Sequence, residues 1–240
     1  MVLFVKLVEE LVYRISPREL AGMIDHTLLK PDADYKLLEK YVDDVKKYRF
    51  ALLMIPLSLV EKTREIAGRS IELGVVVGFP LGNTSTRIKV AEAIEAGELG
   101  VNEVDMVMNI NAFKSRDYDF VKRDVISVVE AAKSRGVRAV KVIIETGLLT
   151  DEEKVRAVDI VAEAKGDYVK TCTGFLGSVA TVHDVSLLYK ASRGRVLVKA
   201  SGGIKHALDA LALVASGASR IGTSSGDKIV EEFLKMRGEK

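Results

Sequence analysis

The sequence predicts an α/β fold, a (β/α)₈ barrel built as a single domain over residues 1–240, with a short helical extension at 1–20. Three observations predict it. Eight short β-rich runs alternate with longer segments of helical periodicity. The runs are almost continuously apolar, as strands of a parallel sheet buried on both faces are. No Pro/Ser/Gly-rich linker divides the chain, and 240 residues suit one barrel of about 250.

The opening segment, MVLFVKLVEELVYRIS, reads as an amphipathic helix placed to plug one end of the barrel. Lys6, Glu9, Glu10 and Arg14 interrupt it, which spoils both a signal-peptide core and a membrane span. The eight strand runs are MIDHTLL (23–29), FALLMI (50–55), GVVVGFP (74–80), NEVDMVMN (102–109), AVKVIIETG (139–147), DYVKTCTG (167–174), RVLVKASGG (195–203) and SRIGTSS (219–225). Helical spacing of apolar residues fills the gaps between them. Tyr35, Leu38, Val42 and Val45 form one such stripe, and Val121, Val125, Val128, Val129 and Ala132 another. Glycine at 74, 100, 136, 166 and 194 shortly before strands fits helix C-caps. An open doubly wound sheet is the alternative, but the Gly-rich dinucleotide turn expected after its first strand is missing.

Composition narrows the function classes. Hydrophobic residues make up 48% and charged residues 29% of the chain, enough for a sizeable core under a solvated surface. With 36 basic against 34 acidic residues the net charge is only +2, so no broad basic field exists to hold nucleic acid. The chain is expected to be cytoplasmic, bound to no membrane, and associated as a homo-oligomer, a dimer or tetramer. The lone cysteine, Cys172, cannot form an internal disulfide. Glutamine is absent and asparagine appears four times, while Lys, Arg, Glu and Val abound, a pattern expected of a heat-adapted protein.

The anomaly is charge on strands that should be buried: Asp105 in EVDMVM, Lys141 in VKVII, Lys170 in YVKTCT and Lys199 in VLVKAS. An unpaired ammonium in an apolar interior must either pair or give up its proton. In a barrel the C-terminal strand ends converge on one mouth, where the active site lies. Lysines gathered there repel one another, which favours a neutral amine, the species that adds to a carbonyl. The competing reading is a structural ion-pair layer inside the barrel. It is disfavoured by the paired motifs KTCTG and KASGG, whose small residues let backbone amides approach a ligand. Gly202 and Gly203 follow the seventh strand, and Gly222, Thr223, Ser224, Ser225 and Gly226 follow the eighth. Loops in those two places commonly hold phosphate.

His26, His183 and His206 show no i, i+4 pair and no carboxylates at ligand spacing, so a catalytic zinc is not expected, nor any cofactor. Ser178, Ser186 and Ser201 sit in no G-x-S-x-G elbow, which leaves hydrolase chemistry unsupported.

Seven stretches in order, IDHTLLKP, GFPLGN, NEVDMV, KVIIETG, YVKTCTG, VKASGGI and IGTSS, closely resemble the deoxyribose-phosphate aldolase family from about Ile24 to Ser225. The resemblance implies a (β/α)₈ TIM barrel and a class I aldolase without a metal. It implies reversible cleavage of 2-deoxy-D-ribose 5-phosphate to acetaldehyde and D-glyceraldehyde 3-phosphate. On this likeness Lys170 is the Schiff-base nucleophile, Lys199 the neighbouring cation that depresses its pKa, and Asp105 the proton carrier, working with a water. Gly202, Gly203, Ser224 and Ser225 match the family's phosphate-binding segments, with Thr173 and Gly174 added to them. Asp25 and Thr27 match residues that orient substrate hydroxyls, and Lys141 contributes to the charged cluster without a sharper role.

Two departures stand out. The usual KTSTG is here KTCTG, and strand alternation would turn Cys172 to the face that carries Lys170, as a weak hydrogen-bonding partner open to oxidation. The second strand carries Leu53 and Met54 where many relatives have a cysteine. Two rivals remain: a lysine-dependent aldolase acting on another phosphorylated substrate, and a barrel that keeps a phosphate pocket only for binding or regulation.

Overall fold

The computed structural model describes residues 2–239. Its strands are β1 (Ile24–Thr27), β2 (Leu52–Ile55), β3 (Leu73–Val77), β4 (Glu103–Val107), β5 (Ala139–Ile143), β6 (Tyr168–Lys170), β7 (Leu197–Ser201) and β8 (Arg220–Thr223). All pair in parallel and in chain order, and β8 closes on β1 through Ile24↔Ile221 and Asp25↔Gly222. Each strand lies within its predicted run or one residue from it. Most runs continue beyond the strand because the glycine and apolar residues of the following loop carry the same composition.

The helices are α1 (Val2–Arg14), α2 (Pro17–Gly22), α3 (Tyr35–Tyr48), α4 (Val60–Ala67), α5 (Thr86–Glu98), α6 (Ile110–Lys114), α7 (Tyr118–Ser134), α8 (Asp151–Glu163), α9 (Val182–Ser192), α10 (Ala207–Ala215) and α11 (Gly226–Met236). Local chemistry starts them where the sequence allows. The Asp34 carboxylate accepts the Leu37 N–H at 2.8 Å to open α3, and Thr150 with Glu153 forms a capping box on α8. In α7 all five predicted core residues are buried. In α3 Leu38, Val42 and Val45 are buried but Tyr35, at the first turn, is 57% exposed with the Lys62 ammonium over its ring. Of the predicted glycine caps, 100, 136 and 194 have positive φ; Gly74 lies inside β3, and before Gly166 it is Lys165 that turns left-handed.

The N-terminal helix does not plug the barrel. Helix α1 packs on α10, in the outer ring, and α2 packs on α11. One helical turn separates the buried Val8 and Val12, and Arg237 Nη1 ties the segment down by donating to the carbonyl oxygens of Val12 and Ile15.

Two kinds of interior result from strand alternation. Outward residues such as Val140, Val142, Val169 and Val198 join the apolar core between sheet and helices. Inward residues are brought level by the ladder: Asp105 with Lys141, Ile143 with Lys170, Lys170 with Lys199, and Lys199 with Arg220. The charged residues of the sequence anomaly therefore all point into the barrel.

Candidate active site

Asp105, on β4, lies at the centre of the charged cluster and is fully buried. Its Oδ2 accepts from Lys170 Nζ at 2.7 Å and from Lys199 Nζ at 2.6 Å, and its Oδ1 accepts from Lys141 Nζ at 2.9 Å. Burial alone would push the carboxyl up, but these three ammoniums outweigh it and hold the group well below the usual carboxylate range. Lys199 also donates to Asp25 Oδ2. Burial is the dominant influence on Lys199 and brings it down to about 8, despite Asp105 and Asp25; the charges of Lys141 and Lys170 push the same way. For Lys141 the balance is reversed. Burial is overridden by Asp105, Asp25 and Glu103, and the amine is held above its ordinary value.

Only one of these lysines reaches open space. A cavity at the C-terminal mouth is lined by Lys170 but by neither Lys199 nor Lys141. Across it lie Thr27 and Lys30 from the end of β1, Thr173 to Phe175 after β6, Gly202 to Lys205 after β7, and Ser224 after β8. Thr173 is fixed by Glu145, whose Oε2 accepts both its N–H at 2.9 Å and its hydroxyl at 2.8 Å. The glycine pair is required by packing as well as by backbone conformation. Gly202 has φ +102, and a Cβ there would approach the Ser178 carbonyl oxygen at 3.0 Å. Gly222 serves the cluster beneath, since a Cβ on it would sit 3.1 Å from Lys199 Cε.

Several predicted site residues are placed otherwise. Asp25 does not line the cavity: its Oδ2 is taken by Lys199 and its Oδ1 by Arg220 Nε at 2.9 Å and by Nη2. Ser225 also stays outside the lining and acts as the N-cap position of α11. Lys141 lies one level below, 2.7 Å from Glu103 Oε2. Cys172 lies past the end of β6, so alternation does not carry to it. The thiol is buried against Thr146 Oγ1 at 3.4 Å and absent from the cavity wall, and burial pushes its pKa up. That makes it an inert thiol rather than an oxidisable one. Leu53 faces the outer core, and neither Leu53 nor Met54 lines the cavity.

The comparisons with known proteins fit this geometry. The profile of the DeoC/LacD family aldolases matches residues 21–232. The chain belongs to the DeoC/LacD aldolase family. It is 48% identical to a deoxyribose-phosphate aldolase of Thermoanaerobacter sp. (strain X514) over 91% of this chain and 98% of that one. Identity is 47% to the protein of that name from Caldanaerobacter subterraneus subsp. tengcongensis, over 92% and 96% of the two chains. Among solved structures, an aldolase named QR15 matches with a TM-score of 0.86 at 39% identity, covering 91% of this chain and 97% of its own. The deoxyribose phosphate aldolase of Aeropyrum pernix, described as having a unique tetrameric structure, matches at 0.88 with 34% identity, covering 96% and 97%.

In this DeoC/LacD member the site also takes in Lys30, Lys205, Glu145 and Arg220, which are not among the residues expected from the sequence. Lys30 lies within IDHTLLKP and Lys205 directly follows VKASGGI, so as cations on motif segments both were open to recognition. Glu145 and Arg220 act through neighbours distant in the chain, which no local pattern reports. Away from the mouth, His183 Nε2 lies 2.7 Å from Asp151 Oδ2, so two helix starts bring together groups that sequence spacing keeps apart. The Lys154 ammonium already pairs there with both Asp151 and Asp184. His26 is buried and stacked on Tyr41 at 4.3 Å between ring centroids, far from a catalytic posture. Among the described residues no helix is long and apolar enough to cross a membrane.

Proposed function

We propose that this chain is a deoxyribose-phosphate aldolase, cleaving 2-deoxy-D-ribose 5-phosphate to D-glyceraldehyde 3-phosphate and acetaldehyde through a Schiff base on Lys170. One observation carries the reading. Of three interlocked lysines, only Lys170 opens into the cavity, and its amine rests on the carboxylate that also holds Lys199.

Because Lys170 and Lys199 share Asp105 Oδ2, a proton deficit favoured at the buried Lys199 passes to Lys170 through that oxygen. Neutral Lys170 then adds to the open-chain carbonyl, the carbinolamine loses water, and the iminium accepts the electrons of the breaking C–C bond. Asp105, already in contact with Nζ, works with a water at the cavity and moves protons for dehydration. It takes up the hydroxyl proton released as glyceraldehyde 3-phosphate forms, and returns one to the enamine carbon before the resulting iminium is hydrolysed to acetaldehyde and free Lys170. The phosphate lies against Gly202, Gly203 and Ser224, near the start of α11, with Thr173 and Gly174 beside it. Lys30 and Lys205 supply positive charge at the cavity itself. Thr27, whose hydroxyl donates to the Asp25 carbonyl at 2.9 Å, faces the sugar, while Asp25 itself holds Lys199 in place. The substrate is a phosphorylated sugar, and the working form is a homo-oligomer in the cytoplasm, a dimer or tetramer.

Borohydride reduction in the presence of acetaldehyde should fix a two-carbon unit on Lys170, and Lys170→Ala should lose both labelling and cleavage while keeping its fold. Cleavage of deoxyribose 5-phosphate should survive a chelator. Labelling that appears only with a larger ketone would reject the substrate assignment.

A further inference from the structure

The charged cluster does not end beneath Lys170 but runs to the opposite, N-terminal end of the barrel. From the mouth downwards it passes from Lys170 to Asp105, from Asp105 to Lys141 and Lys199, and from these to Asp25 and Glu103. Arg220, on β8, terminates it. Its guanidinium grips Asp25 Oδ1 through Nε and Nη2 and lies 3.2 Å from Glu103 Oε2. The groups facing this column are Asp25 from β1, Glu103 and Asp105 from β4, Lys141 from β5, Tyr168 and Lys170 from β6, Lys199 from β7 and Arg220 from β8. β2 and β3 offer only Leu52, Met54, Gly74 and Val76 at those levels. Arg138 also reaches Glu103, but its side chain is largely exposed and shares itself with Glu72.

The charges in the column do not balance. Four cations, Lys141, Lys170, Lys199 and Arg220, meet three carboxylates, Asp25, Glu103 and Asp105. An arginine does not give up its proton. The surplus positive charge can therefore be relieved only at a lysine, and without Arg220 the three lysines would match the three carboxylates one to one.

We propose that Arg220 is a positioning residue for catalysis: by occupying Asp25 and Glu103 from the barrel floor, it leaves the lysines one counter-charge short and so keeps an amine neutral at the mouth. This deepens the aldolase reading and rests on it. The amine that adds to substrate would then owe its free base to a guanidinium it never touches. Asp25 is bound on one side by Arg220 and on the other by Lys199, so it transmits the effect. Burial is the main cause of the low value of Lys199, with the charges of Lys141 and Lys170 added to it, while the charge of Arg220 acts against the raised value of Lys141.

The test is the acid limb of the kcat/KM profile with deoxyribose 5-phosphate, measured on the whole chain. Removing a cation makes a lysine hold its proton more tightly, so Arg220→Met should move the limb to higher pH by about one unit, a tenfold loss at fixed pH below it. Its plateau at high pH should be largely recovered. Removing an anion acts oppositely: Glu103→Gln should move the limb to lower pH. Arg220→Lys keeps a cation but one able to give up its own proton, so its limb should lie between those of the wild type and Arg220→Met. A folded Arg220→Met with an unmoved limb, or a shift of both charge-removing variants in the same direction, would overturn the proposal. If Arg220→Met does not fold, Glu103→Gln decides alone, and an unmoved or raised limb rejects it. Failure of the wild type to cleave and to be trapped by borohydride with acetaldehyde would instead overturn the aldolase reading itself.

Discussion

Lys170 and Lys199 donate to the same oxygen, Oδ2 of Asp105, at 2.7 and 2.6 Å. Two cations on one acceptor cannot both be held at full strength, and Lys199, the more deeply buried, is the one pushed towards neutrality. Lys199→Met should therefore cost catalysis without removing the nucleophile. We expect a loss of about 100-fold or more in kcat at neutral pH, on the scale of a lost proton-transfer partner. Borohydride labelling of Lys170 at alkaline pH should persist. Steady-state kinetics across pH, with mass spectrometry of the trapped adduct, check both halves.

A second ion pair lies in the helical layer and has nothing to do with the mouth. Lys89 Nζ meets Asp124 Oδ2 at 2.7 Å with both side chains fully buried, and the amine also donates to the Val107 carbonyl at 3.0 Å. Asp124→Ala strands the ammonium, so unfolding free energy should drop by roughly 3–5 kcal/mol. Activity per folded molecule should be little changed. Denaturant titration beside an activity assay separates the two effects.

His26 should make stability fall on acidification. Burial lowers its pKa to about 4, against the partial help of Asp44, so the folded chain resists a proton that the unfolded chain takes up at about 6.5. The unfolded state then binds more protons between those values, and stability declines as pH falls through that window. The two values bound the contribution at about 3 kcal/mol. His26→Phe, which keeps the stack on Tyr41, should flatten that stretch of the curve in denaturant titrations from pH 7 to 4.

Cys172→Ser restores the residue usual in the motif and should change little. The side chain contacts Thr146 rather than the cavity, and a hydroxyl can take over that contact. We expect kcat within about twofold, and thiol reagents should leave the folded wild type unmodified, as expected of a buried thiol of raised pKa. Rapid modification with loss of activity would contradict the buried placement.

The absence of glutamine and the abundance of charged residues lead us to expect a melting temperature above about 60 °C, beyond the usual mesophile range. Calorimetry on the intact chain tests this directly.

Much of this architecture was legible in the sequence because a parallel barrel repeats one local pattern eight times. The charges on β4, β5, β6 and β7 broke that pattern visibly enough to mark the interior. What stayed hidden depends on contacts across the chain. Arg220 opens a strand run, where a surface arginine would be unremarkable, and only closure of β8 on β1 brings it to Asp25. The family resemblance of the IDHT motif implies a substrate contact for Asp25, yet both of its oxygens are committed below the mouth. Cys172 departs from the face expected of it because β6 is only three residues long and strand alternation ends with it. The first helix was amphipathic as expected, but amphipathicity says that a face is covered without saying what covers it.

Strand β5 shows a wider consequence of the two interiors. Val140 and Val142 belong to the apolar layer under the helices, and Lys141 between them belongs to the charged column. Fold stability and reactivity are thus written on alternate letters of the same short word. Variation of the even positions should tune heat resistance while leaving the charged column in place, whereas loss of Lys141 would strand Asp105 and Glu103 and cost stability and chemistry together. A chain of this kind can drift in tolerance of temperature through its even letters while the odd one stays fixed.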